Sequence, residues 1–155
     1  MNRILFICHG NICRSPMAEF IFKDLVKKQG IEKDFLIESA ATSTEEIGND
    51  MYPPAKEILR RKGVPFTKRG ARQITKADYE NYDLLIGMDN ENYRNMNYKW
   101  NDSQNKIHLL MEYAGFNREV SDPWYTGDFE SCYDDILSGC KGLLKQYLVQ
   151  KNSTN

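Results

Sequence analysis

The chain predicts a single-domain α/β protein, a doubly wound four-stranded parallel sheet with helices on both faces. Three observations carry this. Short apolar runs alternate with segments whose apolar residues recur three and four apart, the rhythm of strands crossing over through helices. At 155 residues the chain is the size of one domain, large enough to bury roughly two-thirds of its unfolded surface. No internal period of ~20–50 residues repeats. Residues 1–150 therefore read as one domain, and the polar Lys151–Asn155 as a frayed tail.

In chain order, Arg3–Ile7 fits a buried strand. Ser15-Pro16 then supplies an N-cap and a first-turn proline for a helix whose apolar face is Met17, Phe20, Ile21 and Leu25, closed by Gly30. Phe35-Leu36-Ile37 reads as a second strand, and Ser39–Asp50 as a polar loop. Pro53-Pro54 opens a helix carrying Ala55, Ile58 and Leu59 and stopped by Gly63 and Pro65; Thr75 to Asp78 is a capping box before a short one. Asp83–Met88 is a third strand, Asp89 caps a helix to about Asn97, and Lys106–Leu110 is a fourth strand. Phe129, Tyr133, Ile136, Leu137, Cys140, Leu143, Leu144 and Tyr147 mark a long final helix.

Charge and cysteine usage exclude whole classes of partner. With 21 Lys+Arg against 22 Asp+Glu the net charge is −1, so no positive field holds nucleic acid or anionic lipid. The apolar run Ile4–Ile7 is far short of a ~20-residue membrane span or a ~7–15-residue signal core. Four cysteines (Cys8, Cys13, Cys132, Cys140) are too sparse for a secreted disulfide scaffold, which predicts a cytoplasmic protein with reduced thiols.

In a parallel sheet, ligands collect beyond the carboxyl ends of the strands near a topological switch point. The loop after the first strand, Cys8-His9-Gly10-Asn11-Ile12-Cys13-Arg14-Ser15, carries a thiol and a guanidinium six positions apart and runs into a helix N-terminus. Successive backbone N–H groups curl into a nest, the helix adds unpaired donors, and Arg14 offers a planar fork for two oxygens, a geometry that suits a tetrahedral oxyanion. The same field stabilises a thiolate on Cys8, which makes it a nucleophile toward phosphorus. A metal pair from Cys8 and Cys13 has no second pair in register. No Gly-Lys-Ser/Thr or Gly-x-Gly-x-x-Gly accompanies the loop, which sets aside a nucleotide site. No cofactor and no metal are expected.

Cys8–Pro16, Glu38-Ser39-Ala40-Ala41-Thr42-Ser43, Ala71-Arg72-Gln73-Ile74, Met88-Asp89 and Asp122-Pro123-Trp124-Tyr125 together resemble the low-molecular-weight protein tyrosine phosphatases, in order and over almost the whole chain. The resemblance implies a flavodoxin-like sheet with its phosphate loop after the first strand. It makes Cys8 the nucleophile that forms a phosphocysteine, Arg14 the holder of phosphoryl oxygens and Asp122 the general acid. It has Asn11 and Ser15 supporting the thiolate and the loop shape, with Ser39 behind them. Asp89 reads first as an N-cap, with a supporting role behind the site residues open. Independently, a phenolate leaving group needs protonation, because its conjugate acid has a pKa of ~10, and an acid so placed is worth ~10²–10⁴ in rate. Trp124 and Tyr125, in an Asp/Pro/Gly loop rather than a core segment, make aromatic walls deep enough that phosphoserine could not reach Cys8.

The chain departs from the pattern of the family it resembles in two places. Relatives carry histidine before Ala-Arg-Gln, where it supports the loop asparagine; here Thr67-Lys68-Arg69-Gly70 leaves Lys68 or Arg69 to substitute. Thr44-Glu45-Glu46 is acidic where many relatives have an aromatic; it reads first as a solvated loop, and near the mouth of the site Glu45 and Glu46 would disfavour acidic sequence around the phosphotyrosine. His9 belongs to the phosphate-binding loop by its backbone, and neither its imidazole nor that of His108 is assigned a role.

The expected activity is hydrolysis of phosphotyrosine in proteins or peptides, with phosphate and other oxyanions as inhibitors, by a monomer or weak dimer. Two alternatives stay open. Phosphoarginine hydrolysis uses the same scaffold, but relatives with that activity have threonine where Ile12 stands. Arsenate reduction needs relay cysteines typically beyond the third strand, and Asp78–Trp100 has none. Cys13 is also the expected partner of Cys8 in a redox disulfide.

Overall fold

A computed structural model describes residues 1–153 of the chain. Four strands, β1 (Asn2–Cys8), β2 (Phe35–Ala41), β3 (Leu84–Gly87) and β4 (Ile107–Leu109), form one parallel sheet in the order β2-β1-β3-β4. β1 pairs with β2 on one side from Asn2↔Phe35 to Cys8↔Ala41, and with β3 on the other from Ile4↔Leu84 to Ile7↔Gly87. The chain thus leaves β1 for opposite sides of the sheet, and the end of β1 at Cys8 is the switch point.

Seven helices cover the sheet: α1 (Arg14–Lys28), α2 (Pro53–Arg61), α3 (Lys76–Asn81), α4 (Asn90–Trp100), α5 (Leu110–Tyr113), α6 (Pro123–Thr126) and α7 (Phe129–Ser153), with a 3₁₀ turn at Glu32–Asp34. Strand alternation divides the core in two. Ile4, Phe6, Cys8 and Ile86 pack with α1, α2 and α7. Leu5, Ile7 and Leu85 face the other way, onto Tyr79, Tyr82 and Met96 from α3 and its flank and from α4. Covered on both faces, β1 is buried continuously from Ile4 to Cys8, which is why it reads as an unbroken apolar run.

α7 and α5 lie backbone to backbone. A Cβ on Gly142 would sit 1.9 Å from the Tyr113 carbonyl oxygen, and one on Gly139 would sit 2.4 Å from Leu110 Cγ. The sequence reading ends β4 at Leu110 and has no helix after it. The structure turns into α5 there because two glycines of α7 leave room for it.

Other boundaries differ for physical reasons. α1 starts at Arg14, with Cys13 rather than Ser15 at the N-cap position. Ser15 and Pro16 are the second and third helical residues, where a missing N–H costs no helical bond, and the Ser15 hydroxyl is free for the site. β2 continues through Ser39-Ala40-Ala41, which reads as loop, because it stays in register with β1 as far as Cys8. Outside it, Ala41 N–H donates to Arg72 O (2.7 Å) and Ile74 N–H to Ala41 O (2.8 Å). The expected capping box at Thr75/Asp78 is formed, and Asp89, expected as an N-cap, closes a second box with Asn92. α7 extends through Lys151–Ser153, where fraying is the expectation; Lys151 Nζ and the Tyr147 hydroxyl both reach Asp34 Oδ2. The rest of the expected tail, residues 154–155, lies outside the described residues. Among the described residues no helix is long and apolar enough to cross a membrane.

Candidate active site

The loop from Cys8 to Arg14 wraps around the Cys8 sulfur. Sγ accepts from the Asn11 N–H (3.3 Å) and the Ser15 N–H (3.5 Å), and the Ser15 hydroxyl lies 3.1 Å away. These are the unpaired donors of a tight turn and a helix N-terminus, turned inward. The loop closes because Asn11 takes φ 59°, in the left-handed region that asparagine tolerates better than most residues.

Asn11 is a fully buried hub. Its Nδ2 donates to Ser15 Oγ (2.8 Å) and Ser39 Oγ (3.0 Å), and Ser39 Oγ donates to Glu19 Oε1 (2.6 Å). Ser15 Oγ, which accepts from Asn11, lies 3.1 Å from Cys8 Sγ and 3.5 Å from Ala40 O, so its one proton is shared between these two neighbours. Asn11 Oδ1 accepts from the Arg69 guanidinium Nη2 and from the Arg72 N–H (3.3 Å). Of the two residues left open by the missing histidine, it is Arg69 that reaches the asparagine. Burial pulls its guanidinium down from its ordinary pKa, against the opposing charges of Glu19, Asp50 and Cys8.

Arg14 opens α1 with a side chain that is 3% exposed. Its Nη1 donates to Asp89 Oδ2 (2.8 Å) and Val120 O (3.0 Å), and Nη2 lies 3.4 Å from Asp122 Oδ2. Burial alone would lower its pKa; the charges of Cys8, Asp122 and Asp89 outweigh that, and the net direction is up. Asp89 therefore both caps α4 and anchors the guanidinium.

Asp122 caps α6, with Oδ1 accepting from the Trp124 N–H (3.1 Å). Together with Arg14, Ile12 and Cys13 it borders a cleft of about 110 Å³ with Cys8 in its lining. Trp124 (51% exposed) and Tyr125 (84%) border the same cleft rather than the core. His9, Gly10, Glu45 and Glu46 line the same cleft, with His9 Nε2 paired to Glu45 Oε2 at 3.1 Å. Burial, then the neighbouring charge of Cys8, pushes the Cys13 thiol up in pKa. All four cysteines are free thiols.

The structure thus brings together Cys8, Arg14, Asp122 and the whole of the loop expected from the sequence, with Ser39 and Asp89 behind it. Sequence reasoning assigned no role to the His9 imidazole, which meets Glu45 from 36 positions away, and did not name Glu19, Val120 or Tyr52. Val120 acts through a carbonyl, which no side-chain pattern could signal. Tyr52 donates its N–H to Ile12 O (2.9 Å). The Ser39-to-Glu19 bond joins β2 to α1, so only the folded sheet reveals it.

A family model for low molecular weight phosphotyrosine protein phosphatase matches residues 3–154. The low molecular weight protein-tyrosine-phosphatase YfkJ of Bacillus subtilis is 39% identical over 155 residues, covering 97% of this chain and 99% of its own. Its crystal structure superposes with a TM-score of 0.93 over 97% of both chains. The Homo sapiens low molecular weight phosphotyrosine protein phosphatase is 39% identical over 149 residues, 92% of this chain and 94% of its own. A crystal structure of a drosophila arginine phosphatase is also similar, with a TM-score of 0.86 at 29% identity over 95% of this chain and 98% of that one. The chain therefore belongs to the low molecular weight phosphotyrosine protein phosphatase family.

Proposed function

We propose that the protein hydrolyses phosphotyrosine in proteins and peptides, and small aryl phosphates, through a phosphocysteine formed on Cys8. The observation that carries this reading is the convergence of two N–H groups and the Ser15 hydroxyl on Cys8 Sγ, in a cleft bordered by the Asp122 loop.

The phosphoryl oxygens lie against the loop N–H groups and Arg14, whose Nη1 is fixed by Asp89 and Val120 while Nη2, 3.4 Å from Asp122, is the arm shared with substrate. Positioning and charge neutralisation are most of what phosphoryl transfer asks of a protein. Cys8 Sγ attacks phosphorus, and the P–O bond to the aryl group breaks as Asp122 gives its proton to the departing phenolate oxygen. Asp122 then takes a proton from the water that attacks phosphorus; the S–P bond breaks, phosphate is released, and the Ser15 hydroxyl stabilises the sulfur as it leaves. Trp124 and Tyr125 stack on the substrate ring, and Ile12 closes the cleft with an apolar surface.

Product phosphate and other oxyanions compete for the same loop. A monomer, or at most a weak dimer, is the expected active unit. A thiolate nucleophile among four free thiols suits the reducing cytoplasm.

The site also supports a redox reading. Peroxide converts the Cys8 thiolate to a sulfenic acid, releasing hydroxide, and Cys13 condenses with it to a disulfide, releasing water. In that reading peroxide inactivation is reversed by thiol, and Cys13→Ala recovers less completely than wild type. Full recovery of Cys13→Ala, or no Cys8–Cys13 crosslink on peptide mapping of the wild type, contradicts it.

The phosphatase reading is tested by Cys8→Ser. Turnover of p-nitrophenyl phosphate is abolished while vanadate or phosphate binding is kept, because the hydroxyl lacks the anionic character of the thiolate. Residual activity above about a tenth of wild type contradicts the covalent route.

A further inference from the structure

We propose that Tyr52 is a positioning residue for the acid loop, holding Trp124, and through it the Asp122 carboxyl, in register with the phosphate loop. The proposal rests on the reading of Asp122 as proton donor.

α6 is a single turn of four residues, and only Pro123 in it is buried. A helix that short does not hold itself in place, so the orientation of its capping carboxylate depends on what the turn packs against. Two fastenings are visible. One is polar, from Arg14 to Asp122 and Val120. The other is aromatic: the Tyr52 ring lies 4.8 Å from that of Trp124 at a tilt of 56°, with the Phe129 ring of α7 at 6.1 Å and 28° beyond it. Trp124 is the residue whose N–H is bound by Asp122 Oδ1, so the ring contact and the carboxylate are two residues apart on one hydrogen-bonded turn.

Tyr52 is itself fixed. It precedes Pro53, which confines it to extended backbone, and it sits at φ −56° and ψ 134° as the N-cap residue of α2. Its carbonyl accepts from the Ala55 and Lys56 N–H groups, and its own N–H donates to Ile12 O. Just before it, Asp50 binds Lys56 and the Met51 N–H. One residue therefore bonds the phosphate loop through its backbone and braces the acid loop through its ring. A general acid displaced by a fraction of an ångström protonates a poor leaving group less well, while a good leaving group departs without its help.

The experiment compares kcat/KM, which reports the step that expels the leaving group, on phenyl phosphate and on p-nitrophenyl phosphate for wild type, Tyr52→Ala, Tyr52→Leu, Tyr52→Phe and Asp122→Ala, with melting temperatures alongside. Removing the ring lowers kcat/KM on phenyl phosphate several-fold more than that on p-nitrophenyl phosphate, and Tyr52→Phe restores the wild-type ratio. Tyr52→Leu, which keeps apolar bulk without the ring, carries the same comparison if Tyr52→Ala does not fold. A role confined to stability lowers the melting temperature and leaves the ratio of the two substrates unchanged, and that result overturns the proposal. If Asp122→Ala itself shows no preference between the substrates, the reading of Asp122 as acid fails instead.

Discussion

Asn11 turns one carboxamide into four hydrogen bonds, and each one fixes a different part of the site. The oxygen needs a donor, and Arg69 supplies it with a guanidinium, whereas a neutral histidine would have to present the correct tautomer. Arg69→Leu leaves that oxygen with the Arg72 N–H alone. A buried group deprived of its partner costs about 1–3 kcal/mol, so both melting temperature and kcat/KM fall, with partial recovery in Arg69→Lys. Unchanged kinetics in Arg69→Leu would show that the Arg72 N–H suffices.

Ile12 is the other single residue that divides readings. Its side chain borders the cleft with no polar atom to offer a phosphoguanidinium. Wild type is therefore expected to prefer phosphotyrosine to phosphoarginine in kcat/KM, and Ile12→Thr to narrow the gap by adding room and a hydroxyl. A wild type already faster on phosphoarginine contradicts the aryl reading.

At the scale of elements, long periodic segments were legible in the sequence and one-turn segments were not. β1, α1, α2 and α7 announce themselves through apolar spacing and punctuation by Gly and Pro. α5 and α6 have four residues each, too few for any period, and α5 exists because Gly139 and Gly142 admit it. Those two glycines, three apart in an otherwise amphipathic helix, were the available signal of a close approach. Alanine is the better helix former by about 1 kcal/mol, yet Gly142→Ala is expected to destabilise, because its Cβ would meet a backbone oxygen at 1.9 Å. Thermal unfolding decides the sign, and a stabilised Gly142→Ala would mean that α5 yields readily.

The candidate site shows the same division. Cys8, Arg14 and the residues between them are contiguous, so the chemistry could be read from one loop. Asp122, Ser39 and Asp89 needed a family likeness to bring distant segments together. Arg69 was one of two residues left open. Glu19, Val120 and Tyr52 act through a crossover bond, a carbonyl and a ring contact, none of which leaves a mark in sequence.

The whole molecule is tied together by carboxylates whose pairing sets its response to acid. Burial pushes Asp78 up in pKa, but the Arg72 fork and the Thr75 N–H outweigh it and hold it below its ordinary value. Asp50 is likewise lowered, with burial outweighed by Lys56, the Met51 N–H and the Arg69 N–H. A folded pKa below the unfolded one means stability that is fully present above about pH 4 and is lost as pH falls through the folded values. The melting temperature should hold through neutral pH and decline below about pH 4. Asp78→Asn should melt lower at pH 7 and decline less steeply in acid; an unchanged acid slope would remove Asp78 from the account.

The central claim is a covalent bond between Cys8 and phosphorus during turnover. Asp122→Ala slows the water step, and p-nitrophenyl phosphate supplies a leaving group that needs little protonation, so the intermediate accumulates when the two are mixed. Rapid quenching into denaturant followed by mass mapping of the peptides reads it directly. The account predicts one added phosphoryl group on the peptide carrying Cys8 and none in Cys8→Ser; turnover with no phosphopeptide, or a phosphoryl group on any other residue, would contradict it.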